Sequence, residues 1–300
     1  MNIEELVRYL KEMLMTGRKE HIPLEIAGAL LFGSWSQGSQ GISSDADLLV
    51  VAENINPKRH RRGTEIALIK RYFPELSLDI LLLTKKEVIS NFLNHHPLFL
   101  DIAEDGIIIL DDNHFLQNQI LETRDYIREK GIERYGDGWV FPVVKGAPAY
   151  LSKVSNQDFS QAMIKDGERD FAIGQRLIEA GYYDKAVYHF QQSTEKSIKS
   201  ILIAMGIFQK THLIGRVLRK VVAERDIPIK WKEKLIEVAA ISESIESEVS
   251  LSRYPGIIDD SLWLPFEEYS KEDANGAMAK AERSLSIAKG FIKDWFSLVP

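Results

Sequence analysis

The chain has 300 residues, 45% hydrophobic and 27% charged, with a formal net charge of −6 and no cysteine. That balance fits one large or two ordinary folded domains and excludes wholesale disorder. The acidic excess argues against a protein built to coat nucleic acid, and the absence of thiols excludes disulfides, thiolate zinc sites and cysteine nucleophiles.

The opening segment places Ile3, Leu6, Val7, Leu10 and Leu14 on one stripe of a helix over 3–17. It lacks the basic start, apolar block and cleavage site of a signal peptide. No uncharged apolar run reaches membrane-spanning length, so a cytoplasmic protein with no membrane partner is expected. Residues 24–32 form a compact apolar run that reads as a buried strand before a Gly/Ser/Gln loop. Residues 46–52, 77–83 and 107–110 read as further strands, and 64–73 as a helix. Thr84 with Glu87 three residues later forms a capping box that opens another helix. Strands and helices mixed in this way predict an α/β (or α+β) domain with a short mixed sheet over 1–112. Residues 113–130 read as a helix, and the Gly/Pro-rich stretch 131–157 as irregular material, so 113–157 is expected to connect two domains. From 158 to the end no strand is evident. Segments 159–180, 183–206, 212–225, 229–249 and 273–297 carry helical periodicity, which predicts an all-α up-and-down bundle over 158–300.

The chemistry concentrates in 32–51, FGSWSQGSQGISSDADLLVV. Asp45 and Asp47, two apart at the mouth of a strand, point to one face. The residues that follow are apolar on both faces, so the strand is interior. Two such carboxylates repel each other and are costly to desolvate, a conflict that a divalent cation with hard oxygen ligands resolves. Asp79 shares its strand face with Leu81 and Leu83 and joins the pair if the strands 46–52 and 77–83 are neighbours. Three carboxylates would suit two metal ions and in-line nucleotidyl transfer. Gly33-Ser34 leaves the preceding strand and opens what reads as a short helix, where bare backbone and a hydroxyl can cradle phosphate.

Gly-Ser, ten residues, then Asp-x-Asp resembles the signature of the polymerase-β-like nucleotidyltransferases, most of all their minimal (MNT) branch. The resemblance implies an enzyme that uses two Mg2+ ions and a nucleoside triphosphate. In that family the first two aspartates, here Asp45 and Asp47, bind both metals. The third, here Asp79, binds the catalytic metal and helps activate the acceptor hydroxyl. Gly33 and Ser34 would hold the β- and γ-phosphates, with Gln37 and Ser44 completing the nucleotide candidates. Relatives often carry arginine at the position of Gln37, so one phosphate-binding charge is missing. The implied reaction moves a nucleoside monophosphate, AMP from ATP, onto a hydroxyl of a protein, an RNA or a small molecule. A nucleotide-binding module without chemistry is the alternative.

The helical half resembles a HEPN domain through Gly181-Tyr182-Tyr183-Asp184, Gln191-Gln192, Glu195-Lys196, Lys199, Lys210-Thr211-His212 and Arg253-Tyr254-Pro255. HEPN ribonucleases use an arginine followed four to six residues later by histidine. No histidine follows Arg253, so that motif is absent here. Arg253 and Tyr254 are read either as acceptor-side residues or as a helix-boundary ion pair with a packed ring, and His212 as a helix cap or local hydrogen-bonding group rather than a base. Together the two resemblances imply, as an alternative, a toxin–antitoxin-like fusion with self-modification, for which Tyr254 is the candidate acceptor, or RNA-related activity. The layout is also similar to kanamycin-type antibiotic nucleotidyltransferases, which implies a homodimer through the helical domain. The basic run Pro57-Lys58-Arg59-His60-Arg61-Arg62 reads as a solvated loop, with triphosphate or nucleic-acid contact as the alternative. His95-His96-Pro97 reads as a helix end.

Overall fold

The computed structural model describes residues 2–19, 24–41, 44–149, 151, 153–258 and 260–297. The chain divides into two compact units, Met1–Gly131 and Ile132–Pro300. Among the described residues no helix is long and apolar enough to cross a membrane.

The first unit runs α1 (Ile3–Lys19), β1 (Glu25–Phe32), β2 (Ala46–Glu53), α2 (Gly63–Lys70), β3 (Leu78–Leu83), α3 (Lys85–Leu93), α4 (Pro97–Asp105), β4 (Ile107–Asp111) and α5 (Phe115–Lys130). The sheet order is β3-β2-β1-β4. β1 is antiparallel to β2 and β4, and β2 is parallel to β3, so the sheet is mixed. Alternation along the interior strands supplies two cores. Leu48, Val50, Leu78, Ile80 and Leu82 meet Leu6, Leu10 and Leu14 of α1 and Ile69 of α2 on one face. Leu30, Phe32, Leu49, Val51 and Leu83 meet Val88 and Phe92 of α3, Phe99 and Ile102 of α4, and Leu116 and Ile120 of α5 on the other. The capping box opening α3 is present, with Thr84 Oγ1 accepting from the Glu87 N–H and Glu87 accepting from the Thr84 N–H.

The helix expected to connect the domains belongs instead to the first unit, because α5 buries Leu116 and Ile120 in that second core. The stretch expected to be irregular also carries structure. β5 (Glu133–Tyr135) and β6 (Gly138–Val140) form a hairpin, and β6 pairs with β7 (Ile207–Phe208), which lies between helices of the second unit. That unit is helical as expected: α6 (Asn156–Glu179), α7 (Tyr183–Ala204), α8 (Ile214–Glu224), α9 (Ile229–Glu243), the short α10 (Glu248–Leu251) and α11 (Pro265–Glu268), and α12 (Lys271–Ser297). α7 is its centre, with Ile198, Ile201 and Leu202 packed among Leu218, Leu235, Val238, Ala288 and Phe291. A second hairpin, β8 (Gly256–Ile258) and β9 (Ser261–Trp263), precedes α11. These strands of two or three residues are too short to show a period of two, which is why no strand was expected after residue 158.

Candidate active site

β1 ends at Phe32, which pairs with Asp47 of β2, and Asp47 pairs in parallel register with Asp79 of β3. Paired residues on adjacent strands lie about 4.8 Å apart in the hydrogen-bonding direction, so Asp47 and Asp79 stand side by side. Asp45 lies two residues before Asp47, on the same face. That face also carries Leu49, Val51, Leu81 and Leu83. Asp45 and Asp79 are exposed and Asp47 is half-buried, which puts the carboxylates at the open edge of this core.

The turn after β1 is fitted to Asp47. Gly33 has φ +74°, and a Cβ there would lie 2.0 Å from Asp47 Oδ2 and 2.9 Å from its Cγ. Only glycine lets the chain turn under the carboxylate. The expected short helix is instead a run of turns over 33–38. The Gln37 N–H donates to the Gly33 carbonyl at 3.2 Å, that of Gly38 to Trp35 at 3.3 Å, and that of Ser39 to Ser34 at 3.0 Å. The N–H groups of Ser34, Trp35 and Ser36 take no backbone acceptor among the described residues. Three successive donors of this kind form an anion-binding concavity. Ser36 Oγ donates to the Gly33 carbonyl at 3.0 Å. Ser44 closes the far side of the loop: its Oγ accepts from the Gly41 N–H at 2.8 Å, and its carbonyl accepts from Trp35 Nε1 at 3.1 Å. Gln37 turns to the C-terminal end of α4, where its Nε2 donates to Asp105 Oδ2 at 2.7 Å. Nothing in the sequence singles out Asp105.

Three carboxylates on one sheet face and a bare glycine beside them match the hard-oxygen chemistry of a Mg2+-type cation. Among the described residues, however, no three His, Asp or Glu side chains converge as a ligand group. The backbone thus brings the donors together, while the side chains as they stand do not close on an ion.

The basic run lies elsewhere. It follows the C-terminal end of β2, whereas Asp45 and Asp47 stand at its N-terminal end, about 23 Å away at 3.3 Å per residue. Contact of this loop with a triphosphate at the aspartates is therefore ruled out. Arg62 is not solvated at all: it is 1% exposed. Its Nε donates to the Asn56 carbonyl at 2.7 Å and its Nη1 to the Leu82 carbonyl at 2.8 Å. Its two terminal nitrogens hold the Glu87 carboxylate at 2.8 and 3.0 Å. Burial alone would raise the Glu87 carboxyl. Hydrogen bonds from Arg62, the Thr84 backbone and Arg59, with the Arg62 charge, outweigh it and hold the group at about 2, below its ordinary 4.5. His96 caps α4, its Nδ1 accepting from the Leu98 N–H at 3.3 Å. Burial, reinforced by the Arg59 charge and opposed by Asp101, lowers its pKa. His95 stacks on Tyr126 with ring centroids 3.5 Å apart. Both histidines are structural.

On the second unit Arg253 and Tyr254 are exposed. The Arg253 guanidinium lies over the Tyr188 ring at 5.1 Å and the Tyr254 ring at 4.8 Å, and donates to the Tyr254 hydroxyl at 2.7 Å. Cation–π contact therefore stands where an ion pair was considered. Of the two roles expected for His212, hydrogen bonding is the one present, with Glu195 rather than a helix end as its partner: its Nδ1 lies 2.9 and 3.1 Å from the oxygens of buried Glu195, which also pairs with Lys199 at 2.9 Å.

Residues 160–291 match the HEPN domain family. A protein of Methanocaldococcus jannaschii named "Putative toxin MJ1304" is 37% identical over 143 residues, which cover 48% of this chain and 94% of that one. The chain belongs to the HEPN family. The N-terminal region of this HEPN protein is in turn similar to nucleotidyltransferases. "Putative protein adenylyltransferase MJ1305", from the same organism, is 24% identical over 128 residues, covering 42% of this chain and 86% of that one. The chain thus carries a HEPN domain and, in its N-terminal region, a likeness to nucleotidyltransferases. Among solved structures, the archaeal HEPN homologue ST0689 is 27% identical over 44% of this chain and 97% of its own, with a TM-score of 0.34. A nucleotidyltransferase-like protein from Exiguobacterium sibiricum is 14% identical over 94% of this chain and 77% of its own, with a TM-score of 0.39.

Proposed function

We propose that the chain is a nucleotidyltransferase that moves AMP from ATP onto an acceptor hydroxyl. The observation that carries this reading is the level placement of Asp47 and Asp79 on neighbouring strands, with Gly33 turning beneath the Asp47 carboxylate. Asp45, Asp47 and Asp79 would hold Mg2+, two ions in all, which when bound neutralise the triphosphate and lower the pKa of the attacking hydroxyl. The N–H groups of Ser34, Trp35 and Ser36 receive phosphate oxygens. Gly33 keeps the backbone close enough for them to reach. The acceptor oxygen forms a bond to the α-phosphorus, the bond to the β-phosphate oxygen breaks, and pyrophosphate leaves. Asp79, on the edge strand, takes up the hydroxyl proton. In the full-length protein, Asp45→Ala or Asp47→Ala is expected to abolish Mg2+-dependent transfer of label from α-labelled ATP. Equal labelling by wild type and both variants overturns the reading.

A second reading is favoured by the two relatives from one organism, a toxin and a protein adenylyltransferase by name, which resemble parts of this single chain. Here the acceptor is the chain's own HEPN domain, and Tyr254, 58% exposed, presents a hydroxyl beside the Arg253 guanidinium. Intact-protein mass spectrometry after incubation with ATP and Mg2+ would then show a mass increase of one AMP, localised to Tyr254. An unmodified protein that still labels an added acceptor excludes this version.

A further inference from the structure

One end of the first unit gathers cations. β2 and β3 run parallel, with Val51 paired to Leu83, so the loop after β2 and the start of α3 leave the sheet at the same end. The loop turns through Arg59–Arg61 as a short 3-10 helix with no buried residue, and Lys58, Arg59, His60 and Arg61 are all exposed. At about 2 Å per residue this stretch spans only about 6 Å, so the charges of Lys58, Arg59 and Arg61 repel one another. Lys86, also exposed, joins them from the first turn of α3. The two segments abut: Arg59 Nε donates to Glu87 Oε1 at 3.0 Å, and the Lys85 N–H to Glu53 Oε1 at 3.2 Å. Glu87 does not neutralise the cluster, because buried Arg62 already holds its carboxylate at 2.8 and 3.0 Å. Among the described residues Lys58, Arg61 and Lys86 pair with no carboxylate. The turn is nevertheless fixed in place. Arg62 fastens it to the Asn56 and Leu82 carbonyls, the Asn56 N–H donates to Glu65 at 2.9 Å, and the Lys58 N–H donates to Asn56 Oδ1 at 2.9 Å. Hydrogen bonds thus hold together charges that would otherwise spread apart in water.

We propose that this end of the first unit is a docking surface for the phosphodiester backbone of a nucleic-acid duplex. A row of phosphates relieves the repulsion among the fixed cations, and their neutralisation releases the counterions that a duplex carries. Because the turn is already ordered, little backbone freedom is lost on binding. Residues 53–62 and 84–87 include no Phe, Tyr or Trp, so unpaired bases find no ring on which to stack, which favours a duplex over a single strand. The same residues expose no large apolar side chain, so a membrane finds nothing there to bury. Contact with phosphate alone makes the binding independent of base sequence. The surface lies about 23 Å from Asp45 and Asp47, at the other end of β2, and does not depend on the nucleotidyltransferase reading.

The test is fluorescence anisotropy of fluorescein-labelled RNA and DNA duplexes of arbitrary sequence, about 20 base pairs long, with the full-length protein across a salt series. The exposed cations Lys58, Arg59, Arg61 and Lys86 predict that log K falls against log salt with a slope of about −3 to −4, a loss of roughly a hundredfold between about 50 and about 200 mM. Lys58→Ala with Arg61→Ala is expected to weaken binding at least about tenfold at the lower salt and to reduce the slope by about two. Arg8→Ala with Lys11→Ala removes the same charge at the same spacing from the exposed face of α1, and is expected to leave binding within about twofold of wild type. Circular dichroism checks the fold of both double variants, and the RNA and DNA arms separate the two sources of the same backbone chemistry. Asp47→Asn is expected to bind as wild type does, so a failure of label transfer leaves this surface standing. Equal losses from the two double variants, or none from the first, overturn the assignment of the surface. Competition by polyglutamate or by phosphatidylserine vesicles that matches unlabelled duplex charge for charge overturns the assignment to nucleic acid.

Discussion

Gly33→Ala separates the position of the phosphate loop from its stability. Alanine at φ +74° carries the left-handed cost of about 1–2 kcal/mol. It also drives a methyl group to within 2.0 Å of Asp47 Oδ2, 2.9 Å of Cγ and 3.2 Å of Cβ. The carboxylate can swing away. The Asp47 Cβ cannot, because β2 is held between β1 and β3. The loop must then lift, and the Asp47 carboxylate must turn away from its place over residue 33. Gly38→Ala is the control: its φ is +68°, and a Cβ there meets nothing within 4 Å. Gly38→Ala is expected to cost about 1–2 kcal/mol and to keep transfer near the wild-type rate. Gly33→Ala is expected to cost about 2–4 kcal/mol and to lower transfer at least about a hundredfold, since misplacement by roughly 1 Å has effects of that size. The readouts are urea denaturation and label transfer from α-labelled ATP. Turnover of Gly33→Ala within about threefold of wild type, or equal damage by the two substitutions, refutes the coupling of loop and carboxylate.

Arg62→Ala is expected to destabilise the first unit by about 3 kcal/mol, because it breaks a buried charge pair and leaves the Leu82 carbonyl without this donor. The Glu87 carboxyl is held at about 2 in the folded protein against an ordinary 4.5, so its pairing contributes fully above 4.5 and is lost as pH falls toward 2. The stability gap between wild type and Arg62→Ala, read from urea midpoints, should therefore shrink across that window; a gap constant with pH contradicts the pairing. Gly138→Ala would set a Cβ 1.7 Å from the Phe208 carbonyl oxygen, a backbone atom that cannot yield. A loss of about 3 kcal/mol in the second unit is expected, followed by Trp139 fluorescence in urea. A wild-type midpoint would show that the β6–β7 pairing carries no weight.

The sheet was legible because its interior strands are apolar on both faces, so the residues 46–52 and 77–83 stand out without any knowledge of their partners. Their pairing was not legible. Only the parallel register shows Asp47 beside Asp79. The basic run is exposed over 57–61 as a solvated loop should be, and only Arg62 departs, because charge in a sequence says nothing of burial: Arg62 reads like its neighbours, yet its partners come from Asn56, Leu82 and Glu87. Asp105 was invisible for a related reason. It ends an ordinary amphipathic helix, and its tie to the loop is a hydrogen bond from Gln37, 68 positions earlier in the chain. The partner of His212 was not legible, because Glu195 lies on α7 while His212 stands in the loop before α8.

The hairpin tied to β7 also sets an order of events during synthesis. The first unit has all of its sequence once Lys130 and Gly131 have left the ribosome, and it can condense while translation continues. The strand holding Trp139 emerges next and can pair with β5 at once, but its other edge cannot pair until Phe208 follows, roughly 70 residues and about 4–14 s later at ordinary translation rates. For those seconds a buried tryptophan and an open strand edge are exposed beside a finished neighbour. The helical domain is thus the slower half to mature, and its opening hairpin is the segment most in need of shielding by a chaperone.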